Sequence, residues 1–233
     1  MYEDDHNASP LNPLPAIVVV FTLAIAGVEL AFQAAERGFI GGAGGIAWRL
    51  NAVTGYGFYE PAFAWMFEHG VYPFELLQRL LTYAFIHGSF THAAFAVVML
   101  LAIGKMVAEV FSALAFAVIF VASSVVGALA YGVLLDTQFP LIGAFPAVYG
   151  MIGALTFMLW VRAKFEGDNQ FRAFSLIAAL MGIQLVFKLV FGGSNDWVAD
   201  IAGFLTGFGL SFVLAPGGAG RISELVNQIR RRR

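Results

Sequence analysis

Six long apolar stretches, separated by polar or glycine-rich and proline-rich segments, set the pattern of this chain. A helix that crosses a bilayer needs about 20 mostly apolar residues, and each stretch comes close to that length. The predicted membrane-spanning helices cover residues 16–35, 79–103, 111–135, 145–163, 171–192 and 197–215. Neither a second domain nor a repeat is visible, so we expect a single all-α bundle within the membrane.

The composition agrees with a membrane location. Of the 233 residues, 60% are hydrophobic and only 12% are charged, and the mean hydropathy is +0.80. Soluble domains hold about 25% charged residues, so we expect a bilayer to cover this much apolar surface. The net charge of −2 leaves no broad basic face, which argues against a nucleic-acid partner. The absence of cysteine excludes disulfides and thiolate metal sites.

Polar segments flank the predicted bundle at both ends. Residues 1–15 are acidic and contain prolines but lack the basic start of a secretory signal, so we expect a short flexible tail. Residues 16–215 form the predicted transmembrane domain. Residues 216–233 form a predicted basic tail on the cytoplasmic side, which ends in four arginines.

Lysine and arginine predict the orientation. If both termini are cytoplasmic, nine of these residues lie on the cytoplasmic side and three lie opposite. The cytoplasmic set is Lys105, Arg162, Lys164, Arg172, Arg221 and Arg230 to Arg233, and the opposite set is Arg37, Arg49 and Arg79. Because cytoplasmic loops carry the excess of these residues, we predict both termini inside, and we expect a bacterial inner (plasma) membrane.

A long segment, residues 36–78, separates the first two predicted spans and is too broken to cross the membrane. Long connections tend to carry structure or function of their own. Aromatic rings settle in the headgroup zone, so we expect Trp48, Phe63, Trp65 and Phe67 to lie on short helices of a half-immersed loop. An ordinary loop on the outer side is the alternative.

Ionisable side chains within the predicted spans are candidates for function, because charge is costly in hydrocarbon. For Glu29 and Lys188 the simpler explanation is a structural ion pair or a side chain that reaches toward the interface. Asp200 differs because Gly203 and Gly207 follow it, and their G-x-x-x-G spacing lets two helix backbones approach closely.

Motifs on three of the predicted spans occur in a familiar order. The second span contains His87 and His92, the fourth begins GAFPAVYG at residues 143–150, and the sixth contains ADIAGFLTG at residues 199–207. With the Trp-Arg pair of AWR in the long loop, these motifs resemble the rhomboid family of intramembrane serine proteases. The corresponding family patterns are two histidines five apart, G-x-S-G-x-x-Y-G and A-H-x-x-G-x-x-x-G.

This resemblance implies a six-helix bundle, with a long half-immersed loop between the first two helices and a water-filled site that opens outward. In active members a serine at the start of the fourth helix attacks the scissile carbonyl, and a histidine on the sixth helix removes its proton. A histidine and an asparagine on the second helix, with a backbone N–H, hold the oxyanion. The resemblance also implies that a client helix enters beside the fifth helix, where Lys188 would gate its entry or help to select it.

The chain departs from the family pattern at the residues that perform the chemistry. The departures are Phe145 at the nucleophile, Pro146 at the next glycine, Asp200 at the base and Ala96 at the asparagine. Acyl transfer by serine needs a hydroxyl and a positioned base, and Phe145 supplies no hydroxyl. The sixth helix has no histidine, because the four histidines are His6, His69, His87 and His92. The remnant of the site consists of His87, His92, Gly143 and Tyr149, with Gly203 and Gly207 for helix packing.

We therefore predict a rhomboid-like pseudoprotease in the lipid bilayer, which binds transmembrane segments of other proteins without cleaving them and uses no cofactor or metal. One alternative is an active intramembrane serine endopeptidase with a non-standard site, such as Ser123 or Ser124 with His92. A carrier of small molecules or ions on the same bundle is another. A metal site of His87, His92 and Asp200 is a weaker hypothesis than a remnant in which Asp200 bonds His92 or the Tyr149 hydroxyl.

Overall fold

The computed structural model describes residues 13–191 and 195–217, apart from the side chains of Leu185 and residues 187–191. The described part is almost entirely helical. In chain order its α-helices are α1 (Ala16–Glu36), α2 (Trp48–Tyr56), α3 (Glu60–His69), α4 (Phe74–Leu77), α5 (Arg79–Thr82), α6 (Phe90–Ala108), α7 (Ala113–Leu134), α8 (Phe145–Glu166), α9 (Ser175–Phe191) and α10 (Trp197–Leu214). Short 3-10 helices cover Gly42–Ala47, Tyr83–Phe85 and Gln170–Phe174.

Five of the described helices are long and apolar enough to cross a membrane, namely α1, α6, α7, α8 and α10. The sixth long helix, α9, has 17 residues, so it is about 26 Å long, slightly less than the hydrocarbon thickness of about 30 Å. The prediction of an all-α bundle of membrane-spanning helices is confirmed.

Two of the predicted spans begin too early. The second, residues 79–103, is wrong at both ends, because residues 79–85 form separate short helices and α6 runs from Phe90 to Ala108. Ser89 starts the new helix: its Oγ accepts a hydrogen bond from the His92 backbone N at 3.2 Å, as a helix N-cap does. The fifth, residues 171–192, opens with a 3-10 helix, so that α9 begins only at Ser175.

The long loop between α1 and α6 contains the expected short helices. Trp48, Trp65 and Phe67 are exposed on α2 and α3, as headgroup contacts require. The expectation for Phe63 is wrong, because this side chain is buried beside Phe58, with ring centroids 5.5 Å apart. Both rings belong to a buried cluster with Ala128 and Tyr131 of α7, which attaches the loop to the bundle, while the depth of the loop in the membrane stays a prediction.

Helix α8 lies at the centre of the bundle. Its residues from Pro146 to Phe157 are all buried, and it packs against α6, α7 and α10, while α1 packs against α6. Lipid tails are as apolar as these side chains, so close packing holds such helices together. This arrangement fixes the first turn of α8, where the candidate site lies.

Candidate functional site

Backbone hydrogen bonds fix the turn that leads into α8. Phe58 and Leu141 exchange two of them, N to O, at 3.1 and 2.8 Å, and the Gly143 N then donates to the Tyr83 carbonyl at 2.9 Å. Gly143 has a φ of +97°, in the left-handed region that favours glycine. A Cβ at this position would lie 2.8 Å from Cε1 of His92. Both the backbone conformation and the space therefore favour glycine here.

His87 is buried beneath this turn, with 1% of its surface exposed. Its Nε2 accepts a hydrogen bond from the Ala144 backbone N at 3.2 Å, so the ring proton resides on Nδ1. Burial, and then the charge of nearby His92, lower the pKa of His87 to about 3. The ring is therefore neutral at physiological pH and acts as an acceptor that orients the turn.

Phe145 begins α8 at the position that the family motif assigns to the nucleophile. Its ring stacks on His92, with centroids 5.2 Å apart and planes 10° apart. His92 in turn meets His87 edge to face, with centroids 5.0 Å apart. Such aromatic pairs contribute about 0.5–1.5 kcal/mol beyond the area that they bury. Where an active member would hold a hydroxyl, this protein has a packed ring.

The next two departures from the family pattern are likewise packed into the core. Pro146 is the second residue of α8, where a proline costs no helical hydrogen bond, and Ala96 on α6 is fully buried. Tyr149, which matches the motif, is buried in the same core, 3% exposed. Neither Pro146 nor Ala96 has a side-chain group that could donate to an oxyanion.

Asp200 lies in the first turn of α10 and is 1% exposed. Its Oδ2 accepts a hydrogen bond from Nε2 of Gln184 on α9 at 2.9 Å. The predicted bond from His92 or the Tyr149 hydroxyl is therefore wrong, because the donor is Gln184. Sequence reasoning missed Gln184, although an amide in an otherwise apolar stretch was a usable signal.

The three ligands of the alternative metal site, His87, His92 and Asp200, do not converge. Within residues 13–191 and 195–217, no three side chains of His, Cys, Asp or Glu come together as a metal site would require. The Lys188 side chain, predicted to gate client entry, lies outside the described residues.

The buried serine hydroxyls are bonded to backbone carbonyls. Ser123 donates to the Gly203 carbonyl at 3.1 Å, and Ser124 donates to the Phe120 carbonyl at 2.9 Å. Neither forms a hydrogen bond with His92. A hydroxyl that donates to a carbonyl is not activated for attack, so these serines behave as structural groups.

Glycines allow α8 and α10 to touch backbone to backbone. A Cβ on Gly203 would overlap the Pro146 carbonyl, and a Cβ on Gly207 would overlap the Gly150 carbonyl. Small residues at this spacing permit such an approach between membrane helices. The contact holds the start of α10, with Asp200, against the start of α8.

Arg49 of the long loop connects three parts of the molecule. Its guanidinium donates to both carboxylate oxygens of Glu29 at 2.8 and 2.9 Å, to Glu36 at 2.7 Å and to the His87 carbonyl at 2.8 Å. The hydrogen bonds to the two carboxylates, first to Glu29 and then to Glu36, raise the pKa of Arg49 above its usual value. Glu29 is thus part of a structural ion pair that joins α1, the loop and the segment before α6.

A family model matches the sequence of this chain. The model of the Rhomboid domain matches residues 75–217, which is more than half of the chain and extends from α4 to just beyond α10. No curated protein sequence gives a significant match.

Proposed function

Because the chain belongs to the rhomboid family, we propose that it is a rhomboid-like pseudoprotease that binds transmembrane segments of other proteins without cutting them. The observation that carries this proposal is the Phe145 ring stacked on His92 at the nucleophile position. Hydrolysis by a serine needs an attacking oxygen and a base that takes its proton. The Phe145 side chain has no oxygen, and α10 contains no histidine.

Binding is proposed because the membrane frame of the site is retained. The α8–α10 contact, the Gly143 turn and the Arg49 network keep the helices in a fixed arrangement. A multi-pass protein of this kind offers side chains to other helices inside the bilayer, where hydrogen bonds and close packing drive association. We propose entry beside α9, with Lys188 contributing to the choice of client.

The proposed setting is a bacterial inner (plasma) membrane with both termini in the cytoplasm. The excess of lysine and arginine on that side, nine against three, supports this orientation. Labelling of single cysteines introduced into the two predicted tails, with a membrane-impermeant reagent on intact cells, tests it. Labelling of either tail from outside would contradict the proposed orientation.

The two alternative functions have less support. An endopeptidase built on Ser123 or Ser124 would need a neighbouring imidazole, whereas both hydroxyls donate to carbonyls. A carrier that uses Glu29 would need this carboxylate to exchange partners, whereas Arg49 binds both of its oxygens.

A reconstitution experiment tests the proposal. The purified protein is placed in liposomes with a photo-crosslinkable transmembrane peptide; crosslinking measures binding, and mass spectrometry measures cleavage. We expect crosslinked full-length peptide, no fragment, and no labelling by a fluorophosphonate probe, which reacts with activated serines. Fragments that disappear with a single Ser→Ala change would overturn the proposal in favour of an active endopeptidase.

Phe145→Ser provides a sharper test of what the site lacks. This variant restores the hydroxyl but leaves Asp200, bonded to Gln184, where an imidazole would be needed. We expect no cleavage of the peptide by Phe145→Ser. Measurable hydrolysis by this single variant would show that another group serves as the base.

A further inference from the structure

An apolar groove lies near the end of α8 that is remote from the candidate site. Met158, which lines it, follows Phe145 by 13 positions, so the two residues are about 20 Å apart along the helix. The groove has a volume of about 300 Å³. Its walls come from the turn between α6 and α7, from α8 and from the end of α10, and they include Val110, Phe111, Phe157, Val161, Phe212 and Pro216.

Charged side chains flank this groove in pairs of opposite sign. Arg162 lines the groove and donates to Glu166 at 2.7 Å, while Lys105 lies 3.9 Å from Glu109, the residue before Val110. Charged groups avoid hydrocarbon, so this level of the bundle corresponds to the polar boundary of a bilayer. Each cation is matched by a carboxylate, so these four residues carry no net charge that would attract an anionic ligand.

The groove presents apolar surface at this polar level. Val110 is 43% exposed and Phe212 is 45% exposed. At the polar boundary such side chains contact water or headgroups, and the removal of apolar surface from water is favourable. The groove therefore suits an occupant that is apolar on one side and polar on the other.

The chain itself leaves α10 beside the groove. Ala215 and Pro216 line it, and Gly217 has a φ of +78°, in the left-handed region where glycine allows a sharp change of direction. Two of the next three residues are also glycine. An extended chain from residue 217 to residue 222 covers up to about 17 Å, whereas packed helices lie about 8–10 Å apart. The residues that follow can therefore reach every wall of the groove.

Residues 218–233 lie outside the described part of the structure, and their sequence contains an apolar stripe. Ile222, Leu225, Val226 and Ile229 have the spacing i, i+3, i+4 and i+7, which is typical of one face of an amphipathic helix. The residues between them are polar, and residues 230–233 are all arginine. In a helix this stripe would be about 11 Å long, enough to cross the ends of two neighbouring helices.

We propose that residues 222–229 form an amphipathic helix that returns to the bundle and packs its apolar stripe into this groove. The occupant of the groove is thus a segment of the same chain, and the glycines after Pro216 provide the turn. The four arginines follow the stripe and stay outside the groove, at the polar boundary. This inference concerns the end of the bundle remote from Phe145 and holds whether or not the protein binds a client.

A single introduced thiol tests this inference, because the chain has no cysteine of its own. Full-length Val110→Cys is placed in nanodiscs of uncharged phosphatidylcholine, and its alkylation by a water-soluble maleimide is timed. Adding Leu225→Ser removes one side chain from the stripe. We expect alkylation to become about tenfold faster, since burial of one leucine contributes at least about a factor of ten to an equilibrium constant. Ile229→Ser should have the same effect.

Matched variants assign the effect to the stripe and to the groove. Asn227→Ser changes the polar face of the same segment and should leave the rate unchanged. Phe165→Cys places the thiol on the same part of α8 at a side chain that is 77% exposed, and its alkylation should not respond to Leu225→Ser. Ala215→Cys is a second reporter within the groove and should respond as Val110→Cys does.

The outcomes distinguish the proposed occupant from a lipid. Equal rates with and without Leu225→Ser would overturn the inference: equally slow rates would show that lipid covers the groove, and equally fast rates that nothing does. Protection of Val110→Cys only in nanodiscs with added anionic phosphatidylglycerol would also overturn it, because the segment would then be held by the membrane surface. Equal thermal midpoints of the variants establish that each has folded.

Discussion

Replacing Arg49 with alanine should destabilise the protein strongly. The change removes four hydrogen bonds between 2.7 and 2.9 Å, which join the guanidinium to Glu29, Glu36 and the His87 carbonyl. Glu29 is only 4% exposed, and its remaining donor among the described residues is Gln33, at 2.8 Å. Removing one partner of a buried ion pair costs about 3–5 kcal/mol, because the other charge stays buried without compensation. We expect a loss in that range for Arg49→Ala.

Two further variants distinguish the cost of leaving a buried charge unpaired from the cost of removing an arginine side chain. Arg37→Ala also removes an arginine that bonds a neighbour on α1, Gln33, at 2.7 Å. Arg37 is exposed, so the loss should stay below about 0.5 kcal/mol. The double variant Glu29→Leu, Arg49→Leu removes both charges, and it should recover most of the stability that Arg49→Ala loses, since an apolar pair often replaces a buried ion pair at little cost.

The free energy of unfolding is measured for each variant in one detergent, by thermal or denaturant titration followed by circular dichroism. A loss of less than about 1 kcal/mol for Arg49→Ala would refute the account of Glu29 as a desolvated, paired carboxylate. A double variant as unstable as Arg49→Ala would show that the loop is stabilised by packing of the arginine methylene groups and not by the pairing of charges.

Three further predictions concern packing and protonation. Gly207→Ala should lower the free energy of unfolding by about 1–3 kcal/mol, as overpacking does, because the added Cβ would overlap the Gly150 carbonyl. Gly209→Ala is the control: its added Cβ would have no atom within 4 Å, so this variant should be neutral or stabilising in the same unfolding assay. The pKa of His87 is about 3 in the folded protein and about 6.5 in the unfolded chain, so the unfolded chain binds more protons between these two pH values. The neutral His87 therefore contributes fully to the free energy of unfolding above about pH 6.5, and this contribution decreases by up to about 1.4 kcal/mol for each pH unit below that. Wild type should therefore lose more stability than His87→Asn on acidification from about pH 6.5 to about pH 4.5. Tyr83→Phe deletes a buried hydroxyl that donates to a carbonyl at 2.7 Å and should cost about 1 kcal/mol in thermal unfolding.

The fold was largely predictable because hydrocarbon imposes long apolar helices. The errors arose where apolar composition continues through a change of structure. Residues 79–89 are apolar enough to extend a span, yet Ser89 caps a new helix and the chain turns before it. Serine is a residue type that caps the start of helices, so the sequence indicated a boundary at Ser89. The apolar residues on both sides of it nevertheless suggested one continuous span. Phe63 likewise looked like a headgroup contact, although its position on α3 turns it toward the core.

The site was predictable at the level of motifs and less so at the level of partners. Glu29 and Arg49 are 20 positions apart, and only the path of the loop brings them together. The sequence argument considered only ionisable residues within the spans, because charge is costly in hydrocarbon. It therefore missed Gln184, although an uncharged amide also needs a hydrogen-bond partner there. The pairing of Gln184 with Asp200 depends on how α9 sits against α10, which no local pattern specifies.

The retained glycines are explained by packing, without any appeal to catalysis. Gly143 needs its positive φ and the space beside His92, and Gly203 and Gly207 need contact with α8, whether or not a peptide is cut. Their presence therefore supports the family fold and says nothing about hydrolysis. The chemistry depends on Phe145 and Asp200, and neither is left as an empty position: one packs on an imidazole and the other bonds an amide. Both positions therefore take part in contacts of their own within the described bundle.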